Sequence, residues 1–288
     1  MNESFQEVNC DKICLSFAGC GFTGIYHIGV ASCLQICAPQ LLRNKIGGSS
    51  GGALCALALI CDVPLVEVTR FVISLSMKAK ENTLGPFSPS FHLTKLVRMY
   101  LESVLPDNVA EIISGKLFVS ITKMKNMKNL LVSKFRDKND VIEALLASSF
   151  VPVMSGLKPP KFRGEFSLDG IYSDALPCIA DQTVTVSPFR GNVSISPSKE
   201  NRGHLSLPFG SGGSVHVSKH NVCKLKHALI PPNIQKMKSL CDQGFSDARR
   251  FLLSDDCPSN LIVNRDIINI QCELPSELGE VFNEMSSH

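Results

Sequence analysis

The chain has 288 residues, of which 44% are hydrophobic, and it carries 12 cysteines and a formal net charge of only +3. That length and apolar content suit one large domain, and so small a charge gives no electrostatic case for a nucleic-acid partner. The cysteines are scattered with no C-x-x-C pair, and the acidic start Met1-Asn2-Glu3-Ser4-Phe5-Gln6-Glu7 lacks a basic-then-apolar leader, so reduced thiols and a cytoplasmic location are expected.

Residues 1–12 read as a lead. From Ile13 the run Ile13-Cys14-Leu15-Ser16-Phe17 has strand character and enters Gly19-Cys20-Gly21-Phe22-Thr23-Gly24, after which Ile25 to Cys37 reads as a helix. A glycine-rich strand-to-helix loop offers backbone N–H groups to an anion. A dinucleotide pyrophosphate is one such anion, but no Asp or Glu lies between Ala38 and Ile46 to hold a ribose, which weakens that reading. The oxygen of a tetrahedral acyl-transfer intermediate is the other.

Gly48-Ser49-Ser50-Gly51-Gly52 follows, with the apolar helix former Ala53 to Ile60 behind it. This is the layout of a nucleophile elbow, in which small flanking residues let a serine hydroxyl stand out of a sharp strand-to-helix turn. Gly47-Gly48-Ser49-Ser50-Gly51 fits the same pattern one residue earlier. Ser50 is the candidate nucleophile, because its frame places Gly52 directly before the start of the apolar helix. The run Ala53 to Cys61 stops at Asp62, far short of the roughly 20 residues that cross a bilayer.

Asp62-Val63-Pro64 begins a helix expected to reach about Ala79, and Gly85 to Pro89 is a loop. His92 to Leu105 reads as a helix ended by Pro106. Lys116 to Thr122 and Asn129 to Ser133 read as strands, and Asn139 is positioned to cap a helix from Asp140 to Ala147. Thr183 to Ser187 is a further strand, Ser194 to Ser218 a Gly/Ser/Pro-rich mobile loop, and Asn221 to Leu229 and Gln235 to Leu253 are helices. Such alternation predicts a layered α/β sheet. Residues 254–288 form a tail with no assigned role. Lys116, Lys123, Lys125, Lys128, Lys134, Arg136 and Lys138 give the middle of the chain a basic bias. That bias reads either as a solvated face or, with Phe87 and Phe91 exposed beside it, as an attraction to anionic lipid headgroups.

The serine needs a base. His27, His92, His204, His216, His220 and His227 are available, and none has a context that selects it. The alternative is a carboxylate acting directly, and Asp169 suits that role because Gly170 permits a tight turn behind Phe166-Ser167-Leu168. Cys33 and Cys37 lie one helical turn apart, but no second ligand pair accompanies them, so no metal site is expected.

Gly19 to Gly24, Gly48 to Gly52 and Asp169-Gly170 stand in the order and spacing of the patatin-like phospholipases. The chain resembles that family, most closely its adipose triglyceride lipase and adiponutrin branch. Leu15 to Phe22, Ile25 to Val30, Ala147 to Pro152 and Thr185 to Phe189 carry the resemblance further, from about Ile13 to Leu253. It implies a three-layer α/β/α sandwich with a central, mostly parallel sheet. It also implies a Ser50–Asp169 dyad without a catalytic histidine, and an oxyanion hole at Gly19, Cys20, Gly21 and Gly24. Gly48 and Gly52 would flank the nucleophile. No cofactor is implied. The activity implied is hydrolysis of acylglycerols or phospholipids through an acyl-enzyme, peripherally on lipid droplets or membranes, with a possible protein co-activator. Acyl transfer to a lipid alcohol is an alternative, as is a weakly active regulatory protein on lipid droplets. One departure is Ile171, which stands where the family has Gly or Ala after Asp-Gly and places bulk beside the carboxylate.

Overall fold

The computed structural model describes residues 13–197, 205–266, 268 and 273–287. In chain order, β1 (Cys14–Phe17) leads through a 3-10 turn (Gly21–Gly24) into α1 (Ile25–Cys37), and β2 (Ile46–Ser49) leads into α2 (Gly51–Ile60). Then come α3 (Leu65–Lys80), α4 (Leu93–Val104), α5 (Val109–Ile113), β3 (Leu117–Lys123), β4 (Lys128–Val132) and α6 (Lys138–Ser148). The chain continues with β5 (Lys161–Phe162), β6 (Glu165–Asp169), β7 (Thr183–Val186), β8 (Gly191–Asn192), β9 (Ser206–Pro208) and β10 (Ser214–His216). Three helices complete it: α7 (Lys219–Leu229), α8 (Ile234–Leu252) and α9 (Ser276–Ser286).

The centre is a seven-stranded sheet flanked by helices, in which β3, β2, β1 and β7 run parallel in that order. β1 and β2 are buried at every residue, as parallel strands covered on both faces must be. β2 reads Ile-Gly-Gly-Ser, a weak strand former in isolation, and it is held by neighbours on both edges. On one side α1 and α8 cross closely, because a Cβ on Gly29 would strike the Cys241 carbonyl and one on Gly244 the Tyr26 carbonyl.

The register of β3 sets the site. β4 pairs with β3 from Val119 to Lys123 and therefore occupies one edge of it alone. The other edge is shared. β2 pairs with its first half, ending at Ser49 opposite Ser120, and antiparallel β6 takes over at the next position, with Asp169 opposite Ile121. Residues far apart in sequence thus meet at neighbouring rungs of one strand.

Beyond Leu253, Leu261, Ile268, Leu278, Val281 and Phe282 join the main core, and the Asn264 amide donates to the Cys37 carbonyl at 3.0 Å. Among the described residues, no helix is long and apolar enough to cross a membrane. Three local expectations change. The cap of α6 is Asp137, whose carboxylate accepts the Asp140 amide at 2.8 Å, while Asn139 lies inside the helix. The segment from Ser194 to Ser218 supplies β9 and β10 to a short antiparallel ribbon with β8, in the order β8–β10–β9, and the part of it from 198 to 204, including His204, lies outside the described residues. Phe91 is buried against Phe22, Leu75 and Ala79, so only Phe87 of that pair reaches the surface.

Candidate active site

Ser50 is the single residue between β2 and α2, with φ 54° and ψ −128°. Non-glycine residues rarely adopt a positive φ, and holding one there costs on the order of 1–3 kcal/mol unless the surroundings fix it. They do so here. The Ser50 amide donates to Ser148 Oγ at 2.9 Å, and the same hydroxyl donates to the Ser120 carbonyl at 2.7 Å. The glycines supply room. A Cβ on Gly48 would lie 2.6 Å from the Gly52 carbonyl carbon, and one on Gly52 would lie 2.6 Å from the Ala18 carbonyl oxygen. A side chain at either position would push β1, β2 and α2 apart.

The two serines of the elbow differ in place. Ser49 ends β2, is fully buried, and donates to Asp169 Oδ1 at 3.3 Å. Ser50 lines a cavity that runs between α2, α3 and α4. The walls are apolar, with Leu54, Leu57, Phe71, Leu75, Val97 and Leu101 prominent among them. Two hydroxyls that line it, Tyr100 Oη and Ser149 Oγ, are buried without a hydrogen-bond partner.

Asp169 is buried at the end of β6. Burial pushes its carboxyl up from 3.8 to about 6, against hydrogen bonds from the Ile171 amide and the Ser50 and Ser49 hydroxyls, which favour the ionised form. The Ile171 amide donates to Oδ1 at 2.9 Å, while the Ile171 side chain is exposed. The bulk after Asp-Gly therefore faces solvent, away from the carboxylate. Gly170 is required by space: a Cβ there would lie 2.6 Å from the hydroxyl oxygens of both Ser49 and Ser120.

Gly19, Cys20, Gly21 and Gly24 form the turn from β1 into α1. The Gly19 amide donates to the Ala175 carbonyl at 2.9 Å and that of Thr23 to the Cys20 carbonyl at 3.1 Å. Among the described residues, no acceptor takes the amides of Cys20 and Gly21. Gly21 has φ +50° and abuts the Ala228 carbonyl of α7, so no side chain fits. Across the gap lies Gly51, the first residue of α2, where an added Cβ would sit 2.9 Å from Cys20 Sγ and 3.9 Å from the Gly21 nitrogen. Two helix starts thus face each other beside Ser50.

No histidine among the described residues lines the cavity. His27 is buried behind the glycine turn, where its Nε2 donates to the Ala18 carbonyl at 2.9 Å, and burial lowers its pKa to about 4. It braces the turn as a neutral ring. No cluster of three or more His, Cys, Asp or Glu side chains able to hold a metal occurs among the described residues. Two participants carried no signal in the elbow pattern itself. Ser148 lies within Ala147-Ser148-Ser149-Phe150, and Gly51 lies inside the elbow motif as its variable position.

A strand–serine–helix turn on a mostly parallel sheet, with a buried carboxylate and an apolar cavity nearby, has the geometry of a nucleophile elbow on a layered α/β fold. The family model for patatin-like phospholipases matches residues 15–180, and the chain belongs to that family. It is 42% identical over 241 residues to the mouse protein "1-acylglycerol-3-phosphate O-acyltransferase Pnpla3", covering 83% of this chain and 58% of that one. It is 41% identical over 241 residues to human "Patatin-like phospholipase domain-containing protein 2", covering 83% of this chain and 48% of the relative. Human "Omega-hydroxyceramide transacylase" is 34% identical over 242 residues, covering 83% and 45%. The chain spans about half the length of these curated relatives.

Proposed function

We propose that this protein is a lipid acyl hydrolase acting through a Ser50–Asp169 dyad. The observation that carries the reading is the placement of Ser50, at a positive-φ turn lining an apolar cavity and directly after Ser49, whose hydroxyl donates to the buried Asp169 carboxylate at 3.3 Å. Ser50 Oγ attacks the ester carbonyl as Asp169 takes its proton. The carbonyl oxygen becomes the oxyanion, held by amides at the glycine turn, with the Gly51 amide as a further donor. Collapse breaks the ester C–O bond, the departing alkoxide takes the proton from Asp169, and the acyl group remains on Ser50. A water then attacks with Asp169 again as base, and the fatty acid leaves as Ser50 recovers its proton.

The apolar cavity suits an acyl chain, so acylglycerols and phospholipids are the substrate class, met at a droplet or membrane surface. Passage of the acyl group to a lipid alcohol in place of water is the second reading. It is favoured by the acyltransferase and transacylase names of two relatives.

The test is fatty-acid release from emulsified triacylglycerol and phospholipid, with product analysis in the presence of a lipid alcohol. Ser50→Ala and Asp169→Asn are expected to lose activity by roughly a thousandfold or more, with Ser49→Ala retaining most of it. Equal, weak release from all of these proteins would end the enzyme reading.

A further inference from the structure

Several large apolar side chains are exposed on elements that adjoin the Ser50 end of the sheet. α7 packs its inner side, Asn221, Lys224 and Ala228, onto the protein beneath, with the Ala228 carbonyl against Gly21. Its outer side presents Val222 and Leu225 to solvent, flanked by Lys219 and Lys226. Lys219, Val222 and Leu225 follow one another at three residues and Lys226 lies four after Val222, so all four share one side of the helix. On the far side of Ser50, the loop behind α6 carries Met154 on the cavity wall and exposes Val153 and Leu157, the latter 88% accessible, with Lys158 beside them. The β3–β4 turn adds exposed Met124 and Met127 with Lys125 between them, beyond the rung at which Ser49 meets Ser120. Large apolar side chains on separate elements, each with a lysine beside it in the chain, thus lie toward the end of the sheet at which Ser50 stands.

The basic residues of the middle stretch divide accordingly. Arg136 and Lys138 lie at the far end of α6 from Ser148 and pair with Asp140 and Asp107. Lys125 lies in the β3–β4 turn and Lys128 begins β4, both beyond the end of β3 nearer the serine, and Lys123 there is paired with Glu165. The Ser211 hydroxyl donates to Asp174 without neutralising it, and Glu81 ends α3. Along the three apolar segments themselves, 122–129, 151–161 and 217–230, no Asp or Glu occurs, so the charge beside the apolar positions is positive.

We infer that the outer face of α7, the loop carrying Val153 and Leu157 and the β3–β4 turn together dock on a phospholipid surface bearing anionic headgroups. The apolar tips enter the acyl boundary while the lysines meet the headgroups. The inference rests on the lipid-substrate reading above and adds the orientation: the mouth opens directly onto the surface, and a lipid tail enters the cavity without crossing bulk water.

The experiment uses the full chain. Sedimentation with phosphatidylcholine vesicles, with and without phosphatidylserine, is measured alongside turnover of a water-soluble short-chain ester. The triple variant Leu157→Ser/Val222→Ser/Leu225→Ser is expected to lose binding to both vesicles by roughly tenfold or more. Lys219→Glu/Lys226→Glu is expected to lose roughly tenfold on phosphatidylserine vesicles alone. Short-ester turnover stays unchanged in both, which shows that they fold. Ile262→Ser, an exposed apolar change near the opposite end of the sheet, serves as control and should alter nothing. Wild-type-like vesicle binding by the folded variants overturns the docking face and leaves the hydrolase reading intact. Lost binding in a protein whose wild type turns over no ester leaves the docking face standing and removes the enzyme.

Discussion

Replacing Asp169 by Asn should inactivate the protein and stabilise it, by an amount that depends on pH. Burial raises the carboxyl from 3.8 to about 6 in the folded protein, so the folded state holds its proton more tightly than the unfolded chain. Stability from this group is complete below the unfolded value and is lost as pH rises through the folded value, after which the folded state carries a buried charge at full cost. With 1.36 kcal/mol per unit, the cost reaches about 3 kcal/mol at pH 8 and is only about 1 kcal/mol at pH 4.5. Asparagine carries no charge, keeps an acceptor for the Ile171 amide and has nearly the same shape. Urea unfolding of wild type and Asp169→Asn at the two pH values should therefore show a stability gap that widens by about 2 kcal/mol toward alkaline pH. A gap of equal size at both values, or a variant less stable than wild type at pH 8, would refute the argument that this carboxylate is held against its solvation.

The same ionisation should govern rate: kcat/KM for a soluble ester is expected to fall about tenfold per unit below pH 6 and to level above it, and a flat profile from pH 5 to 8 would exclude Asp169 as the base. Ser148→Ala removes the acceptor of the Ser50 amide and the donor to the Ser120 carbonyl, and should cost about 1–3 kcal/mol in urea unfolding together with a fall in kcat. Unchanged kcat would show that the elbow holds its strain without that anchor. Tyr100→Phe deletes a buried hydroxyl that has no partner, and is expected to be neutral or stabilising by about 1 kcal/mol. A clear loss of stability would mean that the hydroxyl is bonded.

Much of the frame was legible from residues alone, because its elements are locally consistent. The strands expected at Lys116 to Thr122, Asn129 to Ser133 and Thr183 to Ser187 appear as Leu117–Lys123, Lys128–Val132 and Thr183–Val186. The helix expected from His92 to Leu105 is Leu93–Val104, its end set by the proline behind it. Where expectation failed, the deciding interaction was distant or offset. The cap of α6 went to Asp137 because that side chain reaches the Asp140 amide. The ribbon within 194–218 forms by pairing with β8, which composition does not reveal. Phe91 is buried by Phe22, a residue of the glycine turn. Glycine spacing alone put Ser50 ahead of Ser49 as the candidate, and Ser50 is the residue at the positive-φ turn, whereas the part played by Ser148 shows only once folding brings two backbone groups to its hydroxyl.

The shared edge of β3 also bears on when the protein could act. Its first rungs can be filled by β2 once the chain up to Lys123 exists, which sets the elbow and its serine in place. The adjoining rung waits for Asp169, more than a hundred residues beyond the serine, and β6 must land in one register, because a slip of one residue would turn the carboxyl to the opposite face. Thr122 Oγ1 donates to the Asp169 carbonyl at 2.7 Å, and the Asp169 amide donates to the Phe150 carbonyl at 2.9 Å, so that register is checked from two directions. Under the dyad mechanism proposed above, a chain still lacking β6 would hold the serine without its base, and would stay chemically silent until that strand arrived.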